Sequence, residues 1–336
     1  MAKKIRIFFV GDVTDSFIKR DYEILKNYFD VNVIQLPKKR IGWLKYIFIL
    51  ARNVKQCDLT FSWFADIYAM VAVFFSKLFG IKSIVVVGGS DAAYVPELKY
   101  GAFTKIKTKI PAIYVYKSVD KVLVVDLALK EDIIKNAKVS GSNIEYLPTG
   151  YDSDYWKPKI KKENIVLTVA PIDDIKRIKL KGLDTFVKAA RQIQEAKLIV
   201  VGIKAEAKSN LEKISSKNVE LVEYLPETEL IKYYQMAKVY CQLSYREGLP
   251  NSLCEAMLCE CIPVGTDVQG VRTAIGDAGF YVNYGNLKAT VDMIKKALAL
   301  KDNLGKKARD RIIKFFPVER RKNGLVKTIN DLLVEK

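Results

Sequence analysis

Tyr245-Arg-Glu-Gly-Leu-Pro-Asn-Ser-Leu-Cys-Glu-Ala-Met-Leu-Cys-Glu-Cys-Ile-Pro263 is the stretch that organises the chain. It carries two carboxylates, Glu247 and Glu255, on either side of a Gly-Leu-Pro-Asn turn. On one unbroken helix, positions eight apart would point roughly 80° from each other. Gly248 and Pro250 oppose an unbroken helix, because Gly is a weak helix former and Pro lacks the backbone donor. The residues therefore predict a loop bearing Glu247, then a helix starting near Asn251 or Ser252 with Glu255 in its first turn. A short strand over Ile262-Pro-Val-Gly265 follows. A loop feeding a helix N-terminus gathers unpaired N–H groups at the positive end of the helix dipole, which suits a phosphate. Ser252-Leu-Cys-Glu255 also has the form of a capping box, with Glu255 reaching back to the Ser252 amide. Both readings of Glu255 stand at this point.

Outward from this stretch, short apolar runs alternate with helical ones. Strands are predicted over 5–10, 31–36, 57–62, 83–87, 121–125 and 144–147. Such alternation argues for a parallel sheet covered on both faces. Ligands in these sheets sit at the strand C-termini, where Gly11-Asp12, Asp66 and Gly88-Gly-Ser-Asp91 fall. The polar run Lys159 to Glu163 marks a boundary, after which the pattern restarts with strands over 165–170, 197–201, 219–222 and 239–243. The fold class is α/β, with two Rossmann-like doubly wound domains, 1–158 and 159–316, facing a central cleft. A C-terminal helix over about 317–336 is expected to cross back to the first domain, with Leu325, Ile329, Leu332 and Leu333 on its apolar face.

Half of the 336 residues are hydrophobic, enough for the cores of two domains. Lys and Arg outnumber Asp and Glu by 56 to 38, a formal charge of +18, which favours an anionic partner. The absence of histidine excludes a His general base and His metal ligands. The five cysteines lack zinc-site spacing and read as reduced core thiols of a cytoplasmic protein. Met-Ala-Lys-Lys runs straight into a strand, unlike a signal peptide, and the apolar run 67–75 is too short to span a bilayer.

Glu-Gly-Leu-Pro-Asn-Ser-Leu-Cys-Glu-Ala-Met resembles the E-x7-E signature of the retaining glycosyltransferases of family four, which have the GT-B fold. The resemblance extends to Leu147-Pro-Thr-Gly-Tyr-Asp152, to Lys181-Gly-Leu-Asp-Thr-Phe-Val-Lys-Ala-Ala190, and to Ile262-Pro-Val-Gly265 and Gly276-Asp-Ala-Gly279. It covers the second half almost throughout and the first half mainly in layout. The chain departs from the family at Gly88-Gly-Ser-Asp91, where members often carry a His.

The resemblance implies transfer of a sugar from a UDP- or GDP-linked donor to an acceptor hydroxyl on a glycan or a lipid-linked molecule, with retention, without a metal and without a further cofactor. It implies that Glu247 binds the donor sugar and Glu255 the ribose. Gly248, Leu249, Pro250, Asn251, Ser252, Leu253 and Cys254 would form the donor loop, with the amides near Leu253 and Cys254 on phosphate. Lys181, with Arg177 or Lys176 before it, is the cation source for the diphosphate, against the bland reading of a solvated basic loop. Asp91 joins Glu247, Lys181 and Arg177 among the catalytic candidates, and Gly11 joins the donor-binding ones. Tyr224-Leu225 lies near the expected base pocket, although a core aromatic explains Tyr224 as well.

Other readings of the same residues are a glycosidase using the two glutamates as acid and nucleophile, or a nucleotide-sugar epimerase or phosphorylase on this fold. A nucleic-acid-binding protein would use Lys38-Lys-Arg40, but no zinc-finger spacing or RNA-recognition aromatic motif accompanies that cluster, so no nucleic acid is expected. The stretch 38–52 also predicts peripheral contact with an anionic membrane on its inner face. Lys38, Lys39, Arg40, Lys45 and Arg52 would lie over headgroups, and Trp43, Leu44, Ile47 and Phe48 in the interface. The alternative is a sheet-covering helix.

Overall fold

The computed structural model describes residues 4–34, 43–172, 175–301 and 303–334; the side chains of 43–46 and of Ala205 lie outside that description. The chain divides into two compact units, residues 1–149 with 319–336, and residues 150–318.

The first unit is built on β1 (Arg6–Val10), α1 (Ser16–Tyr28), β2 (Asp30–Val33), α2 (Trp43–Gln56), β3 (Leu59–Trp63), α3 (Ile67–Phe79), β4 (Lys82–Val87), α4 (Ile106–Ser118), β5 (Lys121–Val124), α5 (Leu127–Ala137) and β6 (Ile144–Tyr146). Its strands form one parallel sheet in the order β2-β1-β3-β4-β5-β6. Ile84 to Val87 are all buried, as an interior strand covered on both faces requires. The α3 helix starts where the Asp66 carboxylate accepts from the Tyr68 and Ala69 amides, and it stops at Gly80 with φ 66°.

The second unit comprises β7 (Glu163–Ile172), α6 (Ile175–Leu180), α7 (Leu183–Ala189), β8 (Lys197–Ile203), α8 (Ala205–Glu212), β9 (Val219–Val222), α9 (Glu227–Met236), β10 (Ala237–Gln242), α10 (Asn251–Leu258), β11 (Ile262–Thr266), α11 (Gln269–Ile275), β12 (Phe280–Val282), α12 (Leu287–Ala299) and α13 (Leu304–Phe315). The second parallel sheet runs β12-β11-β10-β7-β8-β9. Residues 176–179 are helical, on α6, rather than the loop that their run of charges suggested.

The polar break at 159 is not the structural boundary. Residues 150–158 belong to the second unit, because Trp156 is buried there against Tyr234, with ring centroids 5.5 Å apart. The Ser153 and Trp156 carbonyls each accept from Arg309 at 2.8 Å. The outgoing and returning passages of the chain are paired: the Tyr151 amide donates to Phe316 O at 3.0 Å, and the Val318 amide to Tyr151 O at 3.2 Å.

The last helix, α14 (Val318–Val334), joins the first unit from Glu319 onward. Leu325, Ile329 and Leu332 are buried, while the Leu333 position is half-buried. Arg321, 1 % exposed, donates to Asp21 on α1 through Nε at 2.9 Å and Nη2 at 2.5 Å, and to the Leu147 carbonyl through Nη1 at 2.6 Å. The Trp63 indole donates to the same Asp21 carboxylate at 3.0 Å. All five cysteines are buried, and burial pushes the Cys57 thiol up to about 11.

Removing one partner of a buried ion pair strands the other in a medium that solvates it poorly, at a cost of about 3–5 kcal/mol. Arg321→Ala is therefore expected to lower stability by about that amount in denaturant titration, with the loss in the first unit. An unchanged midpoint would show that the pair is not needed to hold α14.

Candidate active site

Strand β10 shows how the second-unit site is made. Side chains alternate along a strand, and here the two faces differ in chemistry. Val239, Cys241 and Leu243 enter the core with the apolar residues of β7 and β8. Tyr240, Gln242 and Ser244 occupy the other face and are also buried. That polar face leads into the loop carrying Glu247.

Three donors converge on one oxygen of Glu247. Lys181 Nζ donates to Oε1 at 2.6 Å, Ser244 Oγ at 2.6 Å and Gln242 Nε2 at 2.9 Å. Gln242 Nε2 also reaches Ser244 Oγ at 2.9 Å. Oε2 takes no hydrogen bond among the described residues. The carboxylate is thus fixed through one oxygen, leaving the other available to a ligand hydroxyl.

Lys181 reaches this position from the turn between α6 and α7. Its amide donates to Arg177 O at 2.9 Å, and Gly182 then takes φ 64°. Glycine is needed there twice over: the conformation is left-handed, and a Cβ would meet the Leu243 carbonyl at 2.1 Å. The opposite side of the Glu247 loop is set by Gly270 on α11, where a Cβ would lie 1.3 Å from Gly248 O. Neither close approach survives a side chain.

The loop ends at α10, which starts at Asn251 behind Pro250. Ser252 therefore lies inside the helix rather than at its cap, and Glu255 falls in the second turn, not the first. The Pro250 cap supplies no side-chain acceptor to the amides that follow. Asn251 Oδ1 accepts from the Tyr151 hydroxyl at 2.8 Å. Gly248, Leu249, Pro250, Leu253 and Cys254 are buried, so Leu253 and Cys254 present core side chains.

Glu255 is 5 % exposed, and its Oε2 accepts from the Tyr234 hydroxyl at 3.3 Å. Burial first, then the nearby Glu255 charge, drives the Tyr234 pKa well up. Tyr240 lies within electrostatic reach of both Glu255 and Glu247, and its hydroxyl touches Gln242 Oε1 at 3.4 Å. Tyr234 and Tyr240 pack with ring centroids 6.0 Å apart. A buried tyrosine pair thus connects the two glutamates.

The remaining candidates are placed differently. Arg177 is exposed on α6, with Nη1 3.4 Å from the Pro171 carbonyl. Tyr224 is 68 % exposed in the loop between β9 and α9, which removes the core-aromatic reading, and Leu225 is half-buried. Gly11 and Asp91 belong to the first unit. Gly11 is buried after β1, where a Cβ would press on Ile18 at 3.1 Å. Lys38, Lys39 and Arg40 of the 38–52 stretch, and the side chains of Trp43, Leu44 and Lys45, lie outside the described residues.

Asp91 lines a cavity of about 480 Å³ in the first unit, together with Phe64, Asp66, Lys99, Lys105 and Lys107. Both Asp91 oxygens are occupied: Oδ2 accepts from the Ala65 amide and Oδ1 from the Gly89 amide, each at 3.0 Å. Phe64 adopts φ 68°, which Gly88 permits, since a Cβ there would meet the Phe64 ring at 2.7 Å. Strain of this kind collects at ligand sites.

Gln242, Ser244, Tyr234, Tyr240 and Gly270 escape a motif-based reading. The signal for three of them is in the sequence, as Tyr-x-Gln-x-Ser alternating with Val-x-Cys-x-Leu.

Residues 153–315 match the model of the family described as Glycosyl transferases group 1, nearly the whole second unit. The second unit thus carries the group 1 glycosyltransferase match, and the chain has the GT-B fold. It is 26% identical over 299 residues to the N,N'-diacetylbacillosaminyl-diphospho-undecaprenol alpha-1,3-N-acetylgalactosaminyltransferase of Campylobacter jejuni, covering 81% of this chain and 77% of that one. The putative teichuronic acid biosynthesis glycosyltransferase TuaC of Bacillus subtilis is 27% identical over 228 residues, covering 65% of this chain and 55% of the relative. Among solved structures, Anabaena HepE in complex with UDP superposes with a TM-score of 0.80 at 14% identity, covering 98% of this chain and 100% of HepE. Sucrose-phosphate synthase of Thermosynechococcus elongatus gives 0.81 at 14% identity, covering 99% and 100%.

Burial pushes the Asp66 and Asp91 carboxyls up from 3.8 to about 6. Between those values the folded chain holds protons that the unfolded chain has released. These two groups therefore make stability fall as pH rises from about 4 to about 6. Asp91→Asn is expected to flatten that fall relative to the unsubstituted protein in melts across this range. Parallel pH profiles would mean that Asp91 is ionised throughout.

Proposed function

We propose that the protein transfers a sugar, with retention of anomeric configuration, from a UDP- or GDP-linked donor to a hydroxyl of a glycan or lipid-linked acceptor. The observation that carries the reading is the Glu247 carboxylate, with Oε1 held by Lys181, Gln242 and Ser244 and Oε2 open. In this reading Oε2 accepts from a hydroxyl of the donor sugar. Lys181, paired with Glu247 and 22 % exposed at its side chain, faces the departing diphosphate with its remaining donors. The amides opening α10 take phosphate oxygens at the positive end of the helix dipole. Arg177 supplies further positive charge, Glu255 binds the ribose, and exposed Tyr224 with Leu225 offers a face to the base.

The chemistry follows from where charge develops. The bond from the anomeric carbon to the diphosphate oxygen breaks while the acceptor oxygen approaches on the same face, and the leaving phosphate takes the acceptor proton. Developing charge falls on phosphate oxygens, which cations and backbone amides stabilise, so neither a His base nor a metal is invoked. Gly11 stays a donor-binding candidate on the first unit. Asp91 acts there as a positioning residue, since backbone amides occupy both of its oxygens. The cavity it lines is assigned to the acceptor. The Campylobacter relative's name specifies a diphospho-undecaprenol acceptor, which favours the lipid-linked alternative and a cytoplasmic, membrane-peripheral enzyme. A glycosidase reading is less favoured, because Glu255 is buried on a tyrosine rather than facing Glu247 across open space.

Melting in the presence of UDP or GDP tests the donor site. One of them at about one hundred times its dissociation constant adds about 2.7 kcal/mol, and no shift with either would remove the nucleotide-sugar reading. Glu247→Ala and Lys181→Ala are expected to lower kcat/KM by about a hundredfold or more while circular dichroism stays native. The anomeric coupling constant of the product, read by NMR, decides the stereochemistry; an inverted product would discard the retaining mechanism.

A further inference from the structure

We propose that the face of the first unit made by α2, α3 and α4 docks on an anionic lipid bilayer. The inference rests on the reading of the acceptor as lipid-linked, and it uses residues outside the donor site.

The strands β2, β3, β4, β5 and β6 advance in one direction across the sheet. Right-handed crossovers therefore place the intervening helices on one face, and α2 packs on α3 and α3 on α4. None of the three helices contains an Asp or Glu, while together they hold seven Lys or Arg. A soluble sheet-covering helix ordinarily mixes both signs of charge on its outer face. The next helix on that face does so: α5 carries Glu131 and Asp132 beside Lys130 and Lys135. On this face of the first unit, one-signed charge thus falls on α2, α3 and α4.

The same face exposes large apolar side chains. Phe48 on α2 is 71 % exposed, Leu78 on α3 is 63 %, and Ile106 on α4 is 71 %, with Phe74 and Ile110 exposed beside the last two. Phe74 with Leu78, and Ile106 with Ile110, stand four apart, so each pair shares one helix stripe. Lys77 and Lys109 are exposed next to them, and Arg52 lies one turn from Phe48. Apolar side chains ringed by unopposed lysines match the two-part demand of an anionic interface, acyl contact beneath and headgroup charge around it. A protein partner or a nucleic acid would satisfy only part of that pattern. Among the described residues no helix is long and apolar enough to cross a membrane, so the attachment is peripheral.

The face borders the acceptor cavity. Asp66 and Ile67, at the start of α3, and Lys105, Lys107 and Thr108, at the start of α4, line that cavity. An acceptor whose phosphate sits at headgroup level would meet Lys105 and Lys107 first.

The test is co-sedimentation of the whole protein with phosphatidylcholine vesicles and with vesicles carrying phosphatidylglycerol. Binding is expected to the anionic vesicles alone and to weaken with salt. Ile106→Ser with Ile110→Ser, and separately Lys77→Glu with Lys109→Glu, should each reduce binding by about tenfold. The melting shift with UDP or GDP should stay unchanged in both, showing that the fold and the donor site are intact. Equal recovery in both supernatants overturns the proposal, as does anionic binding that neither pair of substitutions affects. A dimer in light scattering that the isoleucine substitutions dissolve would assign the face to a second copy instead. Vesicle binding without any nucleotide shift would keep the docking surface and remove the transferase reading of the donor site; the reverse result would do the opposite.

Discussion

The contact on which the first unit depends joins residues 300 positions apart, Asp21 and Arg321. Both side chains are almost fully buried, 3% and 1% exposed. Charge in such a place is stable only when every donor and acceptor is answered. The guanidinium is answered by Asp21 and by the Leu147 carbonyl, and the carboxylate by Arg321 and by the Trp63 indole. The network therefore gathers α1, the end of β3, the chain just after β6 and the first turns of α14. An apolar cluster of similar volume often buries more favourably; the ion pair instead fixes where α14 meets α1 and the chain after β6, through directed hydrogen bonds. It also means that the first unit is completed only by the last residues of the chain.

The donor side obeys a different constraint, imposed by the pleat of β10. Its apolar face secures the strand in the core, and its polar face must then be satisfied without water. Tyr240, Gln242 and Ser244 meet that demand by bonding to one another and to Glu247. The catalytic candidate is thus the outer end of a buried polar ladder, and Lys181 closes it from the α6–α7 turn. Glycine appears where two backbones must approach, at Gly182 against Leu243 and at Gly270 against Gly248. Those contacts make the spacing of Lys181 and Glu247 a property of the backbone rather than of flexible side chains.

Much of this was legible before the structure. The alternation of apolar strands with helices gives two parallel sheets, because a strand buried on both faces has little choice but continuous Val, Ile and Leu. The Gly-Leu-Pro-Asn turn separates Glu247 from the helix carrying Glu255, as Gly and Pro require. Three things were not legible for physical reasons. Lys176 and Arg177 are helical because α6 packs Ile178 and Leu180 into the core, a tertiary gain that a run of charges conceals. The partner of Glu255 was hidden likewise, because the Tyr234 hydroxyl from which it accepts stands 21 residues away. The boundary at 149 instead of 158 depends on Trp156 finding Tyr234. Each is a long-range contact, and local pattern carries no record of its partner.

The two units also differ in how far the family resemblance reaches, and chemistry accounts for the difference. The group 1 match ends with the second unit, where the proposed ligand is a nucleoside diphosphate, whose charge and ribose hydroxyls impose one set of donors and acceptors. Such a ligand favours rigid features: a ladder on a strand, a helix start whose amides meet no side-chain cap, glycines at backbone contacts. The first unit presents a cavity walled by loops after β3 and β4, with Phe64 and Lys99 in left-handed conformations. Acceptors vary in size, charge and the phase that carries them, so their recognition suits loops and outer helix faces that change without disturbing a core. The acid-free helices α2, α3 and α4 are a feature of that kind: their buried sides keep the sheet covered, and their outer sides are left to whatever surface presents the acceptor.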